Sequence, residues 1–368
     1  MASNFITQTY LENNFIRPSI LLNGGFDHWQ RGTSLNETEL AAFSNYCADQ
    51  WKLTIPVSQQ VTIAKATDFV TSNARSSSCL SLALSNTTSS ISSGSQYALF
   101  QPIEGIYARN LLYSPVTFAG KVKTNRAGIY SAFISWVDTA TSNYYYCVAP
   151  ITLLGTDTEE SFSVTFPACP TTFTPQKGEA VSVKVGILLA GNATSVTGVY
   201  TTCSTSAETY TATGQVNFFA SSSNTFKISQ VTINPGSVAK VYFLDSLDRE
   251  LVMLYRYAER LRLSSHLVNL YANTTSHVGN LSYHKKLGST PTLVFQQTDE
   301  SKTSITNSAA VYYVGGNTTF ASSDVSTFAR ATRTTSRSTK FTFSTSSATP
   351  LGVDTGNINL DVLVISAL

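Results

Sequence analysis

Short apolar or alternating runs, separated by clusters of Ser, Gly and Asn, recur along the chain from the turn at 23–25 to about residue 243. Such runs are typical of β-strands, and the clusters between them favour turns. Because no helical segment separates the runs, they predict an antiparallel β-sandwich of jelly-roll type rather than βαβ units. The runs are VTIAKA, CLSLALS, ALFQPI, VTFAGKV, YSAFISWV, YYYCVAPI, SFSVTF, VSVKVGILLA, QVNFFA and FKISQVTI.

One segment, at residues 244–263, breaks this pattern. Its apolar residues are spaced alternately three and four positions apart, which places them on one stripe of an amphipathic helix. Asp245 is a suitable N-cap, and Arg260 suits the negative end of the helix dipole. The spacing predicts a helix from about 246 to 263, with a stripe formed by Leu247, Leu251, Leu254, Ala258 and Leu261.

The apolar stripe of this helix admits two interpretations. Alternating spacing of three and four also describes a coiled-coil seam for self-association. The other interpretation is a helix that packs on its own sandwich, and a stripe shorter than about three heptads favours it. We expect Leu251 and Leu254 to be fully buried, and Tyr257 and Arg260 to project from other faces of the helix.

Strand-like runs resume after the helix and predict a smaller C-terminal β domain. At the other end, residues 1–20 are interrupted by Pro18 and predict either an arm that docks on a neighbour or an edge strand of the same domain. The C-terminal runs are TPTLVFQQ, AAVYYVGG, KFTFSTS and NINLDVLVISAL. The predicted organisation is an arm at 1–20, a sandwich at 21–243, the helix at 244–263 and the β domain at 264–368.

Composition supports strands and narrows the classes of partner. Charged residues make up 12% of the chain, so its polarity comes mainly from hydroxyl and amide groups. The net charge is +2 and the basic residues are dispersed, which does not suit a nucleic-acid partner. No window approaches the roughly 20 consecutive apolar residues that a membrane crossing needs, and the N-terminus does not resemble a signal peptide. We therefore expect neither membrane insertion nor export by a signal peptide.

Candidate catalytic and metal-binding groups are sparse. The four histidines have no HxxxH or HExxH spacing, and GxSxG and P-loop motifs are missing from the sequence. The adjacent pair Glu159 and Glu160 lies in a polar stretch that indicates a solvated turn rather than a catalytic carboxylate pair. We therefore expect no enzyme activity, metal or cofactor. Wide spacing and an odd number predict buried thiols for Cys47, Cys79, Cys147, Cys169 and Cys203.

Three stretches bracket the predicted sandwich and carry a resemblance to a known family. They are NGGFDHWQRGTS at 23–34, ADQW at 48–51, and VTINPGSVAK followed by the predicted helix at 231–261. As a set they resemble phage and prophage tail-fibre-like or minor structural proteins with a jelly roll of carbohydrate-binding type. The family usually has Arg where this chain has Gln50, and Thr where it has Lys240.

The resemblance implies a virion structural protein without enzymatic activity, assembled in the host cytoplasm. Its leading form is a tail-fibre-like adhesin subunit, a homotrimer that contacts other virion proteins and host surface polysaccharide. A head fibre, capsid decoration or collar protein with a purely structural role is an alternative, and a polysaccharide depolymerase is a minor one.

Four residues of the first two stretches are predicted to form a structural motif. Trp29 and Trp51 are large apolar rings suited to the space between two sheets. Arg31 can form a two-pronged ion pair with Asp49, and a buried pair of this kind would favour one arrangement of the strands.

Other residues are candidates for contact with a glycan. Trp136 is a candidate sugar-stacking platform, although filling the core is the favoured role for all three tryptophans. Arg330 and Arg333 lie in a segment of interleaved basic and hydroxyl residues at 330–340. That segment could bind an anionic polysaccharide, but a solvated strand edge that resists pairing is the favoured interpretation.

Overall fold

The chain divides into two compact units in a computed structural model. The first unit comprises 1–27 and 51–250, and the second comprises 28–50 and 251–368. Residues 28–50, which the sequence placed in the sandwich at 21–243, group with the C-terminal segment in this division. The structure describes residues 19–262 except 70–75, 141–142, 172–173, 193, 196–197, 204–209 and 244–246, and beyond 262 it describes strand segments only. The predicted arm at 1–20 lies almost wholly outside the described residues.

Strands dominate both units. The helices are α1 (Glu37–Ala42), α2 (Gly105–Ala108) and α3 (Leu247–Leu254), with 3₁₀ turns at Arg109–Leu111 and Phe218–Ala220. The strands up to residue 235 are β1 (Ser34–Asn36), β2 (Lys52–Leu53), β3 (Val61–Ala66), β4 (Cys79–Leu84), β5 (Ser95–Glu104), β6 (Val116–Thr124), β7 (Gly128–Val137), β8 (Tyr144–Leu153), β9 (Glu160–Phe166), β10 (Val181–Asn192), β11 (Thr194–Ser195), β12 (Thr201–Cys203), β13 (Tyr210–Thr211) and β14 (Thr225–Pro235).

Two antiparallel sheets form the first unit, which confirms the predicted all-β sandwich. In the first sheet, β3, β4, β14, β6 and β9 lie side by side in that order. The second sheet has the order β12, β8, β7, β10, β5 and β2. The order departs from the order along the chain, as expected where strands alternate between two sheets.

The core of the first unit lies between the inner faces of these sheets. The ring centroids of Tyr130 on β7 and Phe226 on β14 are 5.9 Å apart, so these side chains meet across the sandwich. Since side chains alternate along a strand, the even-numbered residues of β7 from Tyr130 to Trp136 face inward. All of them are buried, as are the inward residues of the first sheet Ile63, Leu82, Phe118, Val122 and Ile228.

The second unit combines one short helix with strand pairs. Asn36 caps α1, and its side chain and that of Glu39 form a capping box with each other's backbone N–H groups. Beyond α3, β23 lies between β15 and β18, and the order β16, β17, β22, β21 forms another sheet. These strands are β15 (Ala258–Arg262), β16 (Tyr271–Asn273), β17 (Ser276–Ser282), β18 (Thr292–Gln297), β19 (Val314–Gly315), β20 (Thr318–Thr319), β21 (Thr327–Thr334), β22 (Ser338–Ser344) and β23 (Leu360–Ile365).

The predicted helix is shorter than its spacing suggested. Helix α3 ends at Leu254, and Ala258 and Leu261 lie on β15, where they pair antiparallel with β23. Prediction of a continuous helix to residue 263 was therefore wrong, because strand pairing with a distant segment overrides a local helical pattern. Leu254 is buried as expected, whereas Leu251 is only half-buried and Tyr257 is buried. The side chains of Leu247 and Leu261 lie outside the described residues.

Truncation of Leu254 tests how α3 packs. The Leu254 side chain is 1% exposed, so Leu254→Ala should lower the free energy of unfolding by about 2–5 kcal/mol through lost burial and a cavity. The half-buried Leu251 provides the matched control, and Leu251→Ala should cost less. We expect the shift in melting temperature to be the same at every protein concentration. A melting temperature of Leu254→Ala that climbs with concentration would instead indicate a self-association seam.

None of the helices in the described part of the chain is long and apolar enough to span a membrane.

Four of the cysteines, Cys47, Cys79, Cys147 and Cys169, are buried free thiols, which confirms the prediction for these four. The Cys203 side chain lies outside the described residues.

Candidate functional site

The predicted pair of Arg31 and Asp49 is present in the second unit. Arg31 Nη1 lies 3.3 Å from Asp49 Oδ1, and both side chains are almost completely buried. The contact is single rather than two-pronged, and Arg31 Nε has no hydrogen-bond partner among the described residues. The guanidinium also lies over the ring of Tyr46, with Cζ 4.6 Å from the centroid. The Asp49 carboxylate and the face of the Tyr46 ring therefore both contact the Arg31 guanidinium.

Burial governs the electrostatics of this pair. Removal from water lowers the pKa of Arg31 and raises the pKa of Asp49, because desolvation of each charge outweighs attraction by its partner. Burial also raises the pKa of the neighbouring Cys47 thiol to about 12. A thiol with so high a pKa is not a nucleophile near neutral pH, so this cluster has a structural character.

Gln30 joins the motif to the C-terminal segment of the same unit. Its side-chain Nε2 donates to the Ala258 carbonyl at 2.7 Å, and the Arg260 backbone N–H donates to its Oε1 at 2.9 Å. The carboxamide thus bonds to β15 as the backbone of a neighbouring strand would. The Gln30 backbone N–H also donates to Asp49 Oδ1 at 3.2 Å. Residues 28–50 are therefore tied to β15 as well as to one another.

Trp51 belongs to the first unit. Its Nε1 donates to the Asn23 carbonyl at 3.0 Å, and its ring lies 4.9 Å from that of Phe26. Gly24 allows a close approach here, because a Cβ on it would lie 2.2 Å from the Val231 carbonyl oxygen. Trp51 is fully buried and Trp29 nearly so, which leaves neither ring a face for a sugar.

Trp136 is also fully buried, and its Nε1 donates to the Tyr200 hydroxyl at 3.2 Å. The prediction of a glycan contact at Trp136 was wrong, because the ring faces the core of the sandwich. Arg330 and Arg333 lie on β21, which pairs with β22. Their side chains lie outside the described residues, so their proposed contact with a glycan stays a prediction.

The outer face of the second sheet carries a different group of aromatic residues. Since the even-numbered residues of β7 face the core, Phe133 and Ser135 face outward. The registers place Tyr146 and Lys184 beside Ser135 on the neighbouring strands β8 and β10. Tyr144, Phe100 and Lys52 share the same face by alternation and by the pairing of Lys52 with Phe100.

A small apolar cluster covers the middle of this face. The rings of Phe133 and Tyr146 stack with centroids 5.4 Å apart, and both are buried. Phe100 packs against the cluster, with its centroid 6.3 Å from that of Phe133. Gly186 lies on β10, between the strands of Phe100 and Phe133, and a Cβ on it would lie 2.5 Å from the Phe100 Cβ. The glycine therefore permits the close contact of Phe100 and Phe133.

Half-buried residues surround this cluster and form what we call the rim: Phe100, Tyr144, Lys184 and Lys52. The Lys184 Nζ lies over the ring of Tyr144, 5.1 Å from its centroid. A cation over an aromatic ring is attracted by the negative face of the ring. The rim thus combines two partly accessible aromatic rings with two ammonium groups.

The contact between Lys184 and Tyr144 bridges one strand. These residues lie on β10 and β8, which flank β7, so their side chains meet above β7 next to Ser135. Ser135 is fully buried, and its Oγ has no hydrogen-bond partner in the described part of the chain. A buried hydroxyl without a partner costs about 1–3 kcal/mol of stability.

The sequence analysis missed the rim. The alternation in YYYCVAP indicates that Tyr144 and Tyr146 share a face. Contact between Tyr144 and Lys184 depends on two strand registers that join residues 40 positions apart, and local patterns do not encode them.

The described part of this face carries few carboxylates. In its described part, Glu104 is the one carboxylate that the alternation places there. Hydrolysis of a glycosidic bond ordinarily uses two carboxyl groups about 5–10 Å apart. Among the described residues, no group of three or more potential metal ligands comes together.

The chain shows little similarity to known proteins in sequence or in structure. Neither a family model nor a curated protein sequence matches the chain. Of the solved structures, a putative sugar-binding protein from Bacteroides thetaiotaomicron is 13% identical, with 59% of this chain and 100% of that chain covered and a TM-score of 0.34. The CBM22-1 and GH10 modules of a Clostridium thermocellum endo-1,4-β-D-xylanase, Xyn10B, are 12% identical, with 61% of this chain and 30% of that chain covered and a TM-score of 0.33.

A tailspike domain of bacteriophage CBA120 is 10% identical, with 59% of this chain and 21% of that chain covered and a TM-score of 0.30. The chain therefore spans less than a third of the xylanase and tailspike chains that it matches.

Proposed function

We propose that this chain is a bacteriophage virion protein, an adhesin-like fibre subunit that binds host surface glycans through the rim of its second sheet. The observation that carries the glycan-binding part is the combination of half-buried Phe100 and Tyr144 with Lys184 on one outer sheet face. Aromatic rings bind the apolar faces of sugars, and neighbouring polar groups bind their hydroxyls. The motifs at 23–34, 48–51 and 231–261 support the virion role through the family that they resemble.

Catalysis is not part of this proposal. The outer face has one carboxylate in its described part, and the buried pair of Arg31 and Asp49 has the character of a structural cluster. We therefore propose a subunit that binds a glycan without cleaving it.

We expect a homotrimer, which light scattering of the purified protein would detect.

Loss of the rim rings tests the binding site. Tyr144→Ala and Phe100→Ala should each weaken binding to the best ligand of a bacterial surface-polysaccharide array by about 1–2 kcal/mol, roughly five- to thirtyfold. Phe243→Ala is the matched control, because Phe243 is also a partly exposed ring but does not belong to the rim. Unchanged affinity in both rim variants, or no binding to any polysaccharide of the array, would contradict the proposed site.

A second candidate function is a head fibre, decoration or collar subunit, and an exposed apolar run of the first unit favours it. Val238 and Val241 are 71% and 68% exposed, and Phe243 is 38% exposed. Several exposed apolar side chains within a short segment are typical of protein–protein contacts. Such a run would suit another virion protein as partner.

A map of the intact particle separates the two functions. Density for this chain at the tail tip is expected for the adhesin. Density on the capsid lattice or at the collar would favour the structural subunit and contradict the adhesin.

A further inference from the structure

We propose that β9, the outer strand of the first sheet, pairs with β9 of a second copy of this chain about a twofold axis. This contact between copies lies outside the proposed function, because it involves none of the rim residues. β9 pairs with β6 on one side, and no strand of the described part of the chain lies on its other side. The two joined strands would form one sheet that continues from one copy into the other.

The free edge of β9 has backbone groups that can bond to another strand. Its residues pair with β6 over the whole length from Glu160 to Phe166, without a register shift. In an antiparallel pair, every second residue directs its N–H and C=O groups toward the neighbouring strand, so the remaining residues direct theirs to the free edge. Between Ser161 and Phe166, those groups have no hydrogen-bond partner in the described part of the chain. A strand added at this edge would therefore form hydrogen bonds without breaking any that the structure describes.

The edge of the second sheet at β8 is protected, whereas the edge at β9 is not. Natural sheets block their edges with proline, lysine, bulges or covering segments. In β8, Pro150 lacks an N–H group, and β12 pairs with residues 144–146. β9 contains neither proline nor lysine, and its pairing with β6 has no bulge. A regular, unprotected edge is typical of a strand that pairs with another chain.

The sequence of β9 is complementary to itself in an antiparallel pair. Its even-numbered residues are buried or half-buried, and its odd-numbered residues from Ser161 to Thr165 are exposed. Around a twofold axis at Ser163, Ser161 would lie beside Thr165 of the other copy, and both carry hydroxyl groups. Phe162 would lie beside Val164 of the other copy, and an aromatic residue opposite a β-branched one is a favourable cross-strand pair. The second copy would thus cover the half-buried Val164.

Charge favours the antiparallel arrangement of two copies. Glu160 is the one charged residue of β9. Around an axis at Ser163, Glu160 would lie beside Phe166 of the other copy, so the two glutamates would be about 20 Å apart. This separation exceeds the Debye length of about 8 Å at physiological ionic strength. In a parallel pair in register, the two glutamates would instead lie side by side about 5 Å apart and repel each other.

The contact is small, so the two copies should separate on dilution. The paired residues span about 24 Å, and a single strand pair belongs to the class of interfaces below about 1,200 Å², which form and dissociate readily. Association should therefore depend on protein concentration. The contact doubles the number of chains in the particle, whether that particle is the expected trimer or a monomer.

Cysteine cross-linking tests the register of the two strands. In Ser163→Cys the introduced thiol would face its own copy across the axis, so oxidation by copper phenanthroline should join most chains in pairs. Ser161→Cys is the matched control, because residues 161 of the two copies would lie about 14 Å apart and a disulfide needs Cα atoms within about 7 Å. Both positions are exposed, so both variants should keep the fold. Equal cross-linking of the two variants, or none in Ser163→Cys, would overturn the proposal.

Charge substitutions test the same contact without a covalent bond. Ser163→Lys places two ammonium groups side by side, so it should keep the lower mass in light scattering at concentrations where the unaltered protein doubles its mass. Ser163→Glu should do the same, and an equimolar mixture of the two variants should regain the doubled mass, because opposite charges then meet across the axis. Thr152→Lys is the control, since Thr152 is an exposed residue of β8, and it should associate like the unaltered protein.

Three results of the light-scattering series would contradict the pairing of β9. They are an unaltered protein whose mass does not double, a doubling that Ser163→Lys leaves unchanged, and a mixture of the two charge variants that stays at the lower mass. Each would overturn the contact between copies and leave the proposed glycan binding intact.

Discussion

Arg31→Ala is expected to lower the free energy of unfolding of the second unit by about 3–5 kcal/mol. The substitution leaves the Asp49 carboxylate buried without its cation and removes the guanidinium from the ring of Tyr46. A loss of this size is a large share of the total free energy of unfolding of a marginally stable domain. Urea denaturation followed by hydrogen exchange should show the loss in residues 28–50 and β15, while the strands of the sandwich keep their protection.

A second substitution identifies the cause of that loss. Adding Asp49→Asn to Arg31→Ala removes the stranded charge and should recover part of the stability, since desolvation already disfavours the charged carboxylate. Arg126→Ala, at an exposed position, is the control and should change stability by less than about 0.5 kcal/mol. Equal small shifts for Arg31→Ala and Arg126→Ala would show that the buried pair has no structural role.

Trp51→Ala should destabilise the first unit by about 3–5 kcal/mol. The ring is fully buried against Phe26, and its Nε1 donates to the Asn23 carbonyl, so truncation creates a cavity and removes a hydrogen bond. Denaturation measured by exchange of the sandwich strands would report the change.

Trp51→Phe divides this effect into its parts. Phenylalanine retains most of the buried apolar surface but cannot donate to the Asn23 carbonyl, so we expect a smaller loss of about 1–3 kcal/mol. If Trp51→Ala unfolds at the same urea concentration as the unaltered protein, the ring does not support the first unit. A loss confined to the second unit would contradict the assignment of Trp51 to the first.

The sandwich could be predicted from the sequence because its strands carry a local signal. Alternation of apolar and polar residues identifies strands such as Val61–Ala66 without knowledge of their partners. The pairing of Arg31 with Asp49 could also be predicted from the sequence. Both residues lie in motifs rich in apolar and aromatic residues, and a charge buried in such surroundings needs a partner of opposite charge. Their single contact, in place of a two-pronged one, is a matter of tertiary geometry.

The errors come from interactions between distant segments. Residues 255–262 continue a helical spacing, yet β15 pairs with β23 about 100 residues later, and the ladder outweighs the local preference. The sequence around Trp136 does not show whether its ring faces the core or solvent. That depends on which face of the sheet the even-numbered residues of β7 occupy. The rim depends on the registers of β8, β7 and β10, which local alternation does not contain.

The second unit is discontinuous in the chain, and this has a consequence for folding during synthesis. Gln30 leaves the ribosome well before its partners Ala258 and Arg260, which follow 228 and 230 residues later. Contact across so long a loop is slow to form. Folding of the first unit removes this delay, because the Asn23 backbone N–H and the Glu250 carboxylate meet at 2.6 Å and bring the two ends of that unit together. Folding of the sandwich would thus shorten the effective loop that residues 28–50 and β15 must close in order to pair.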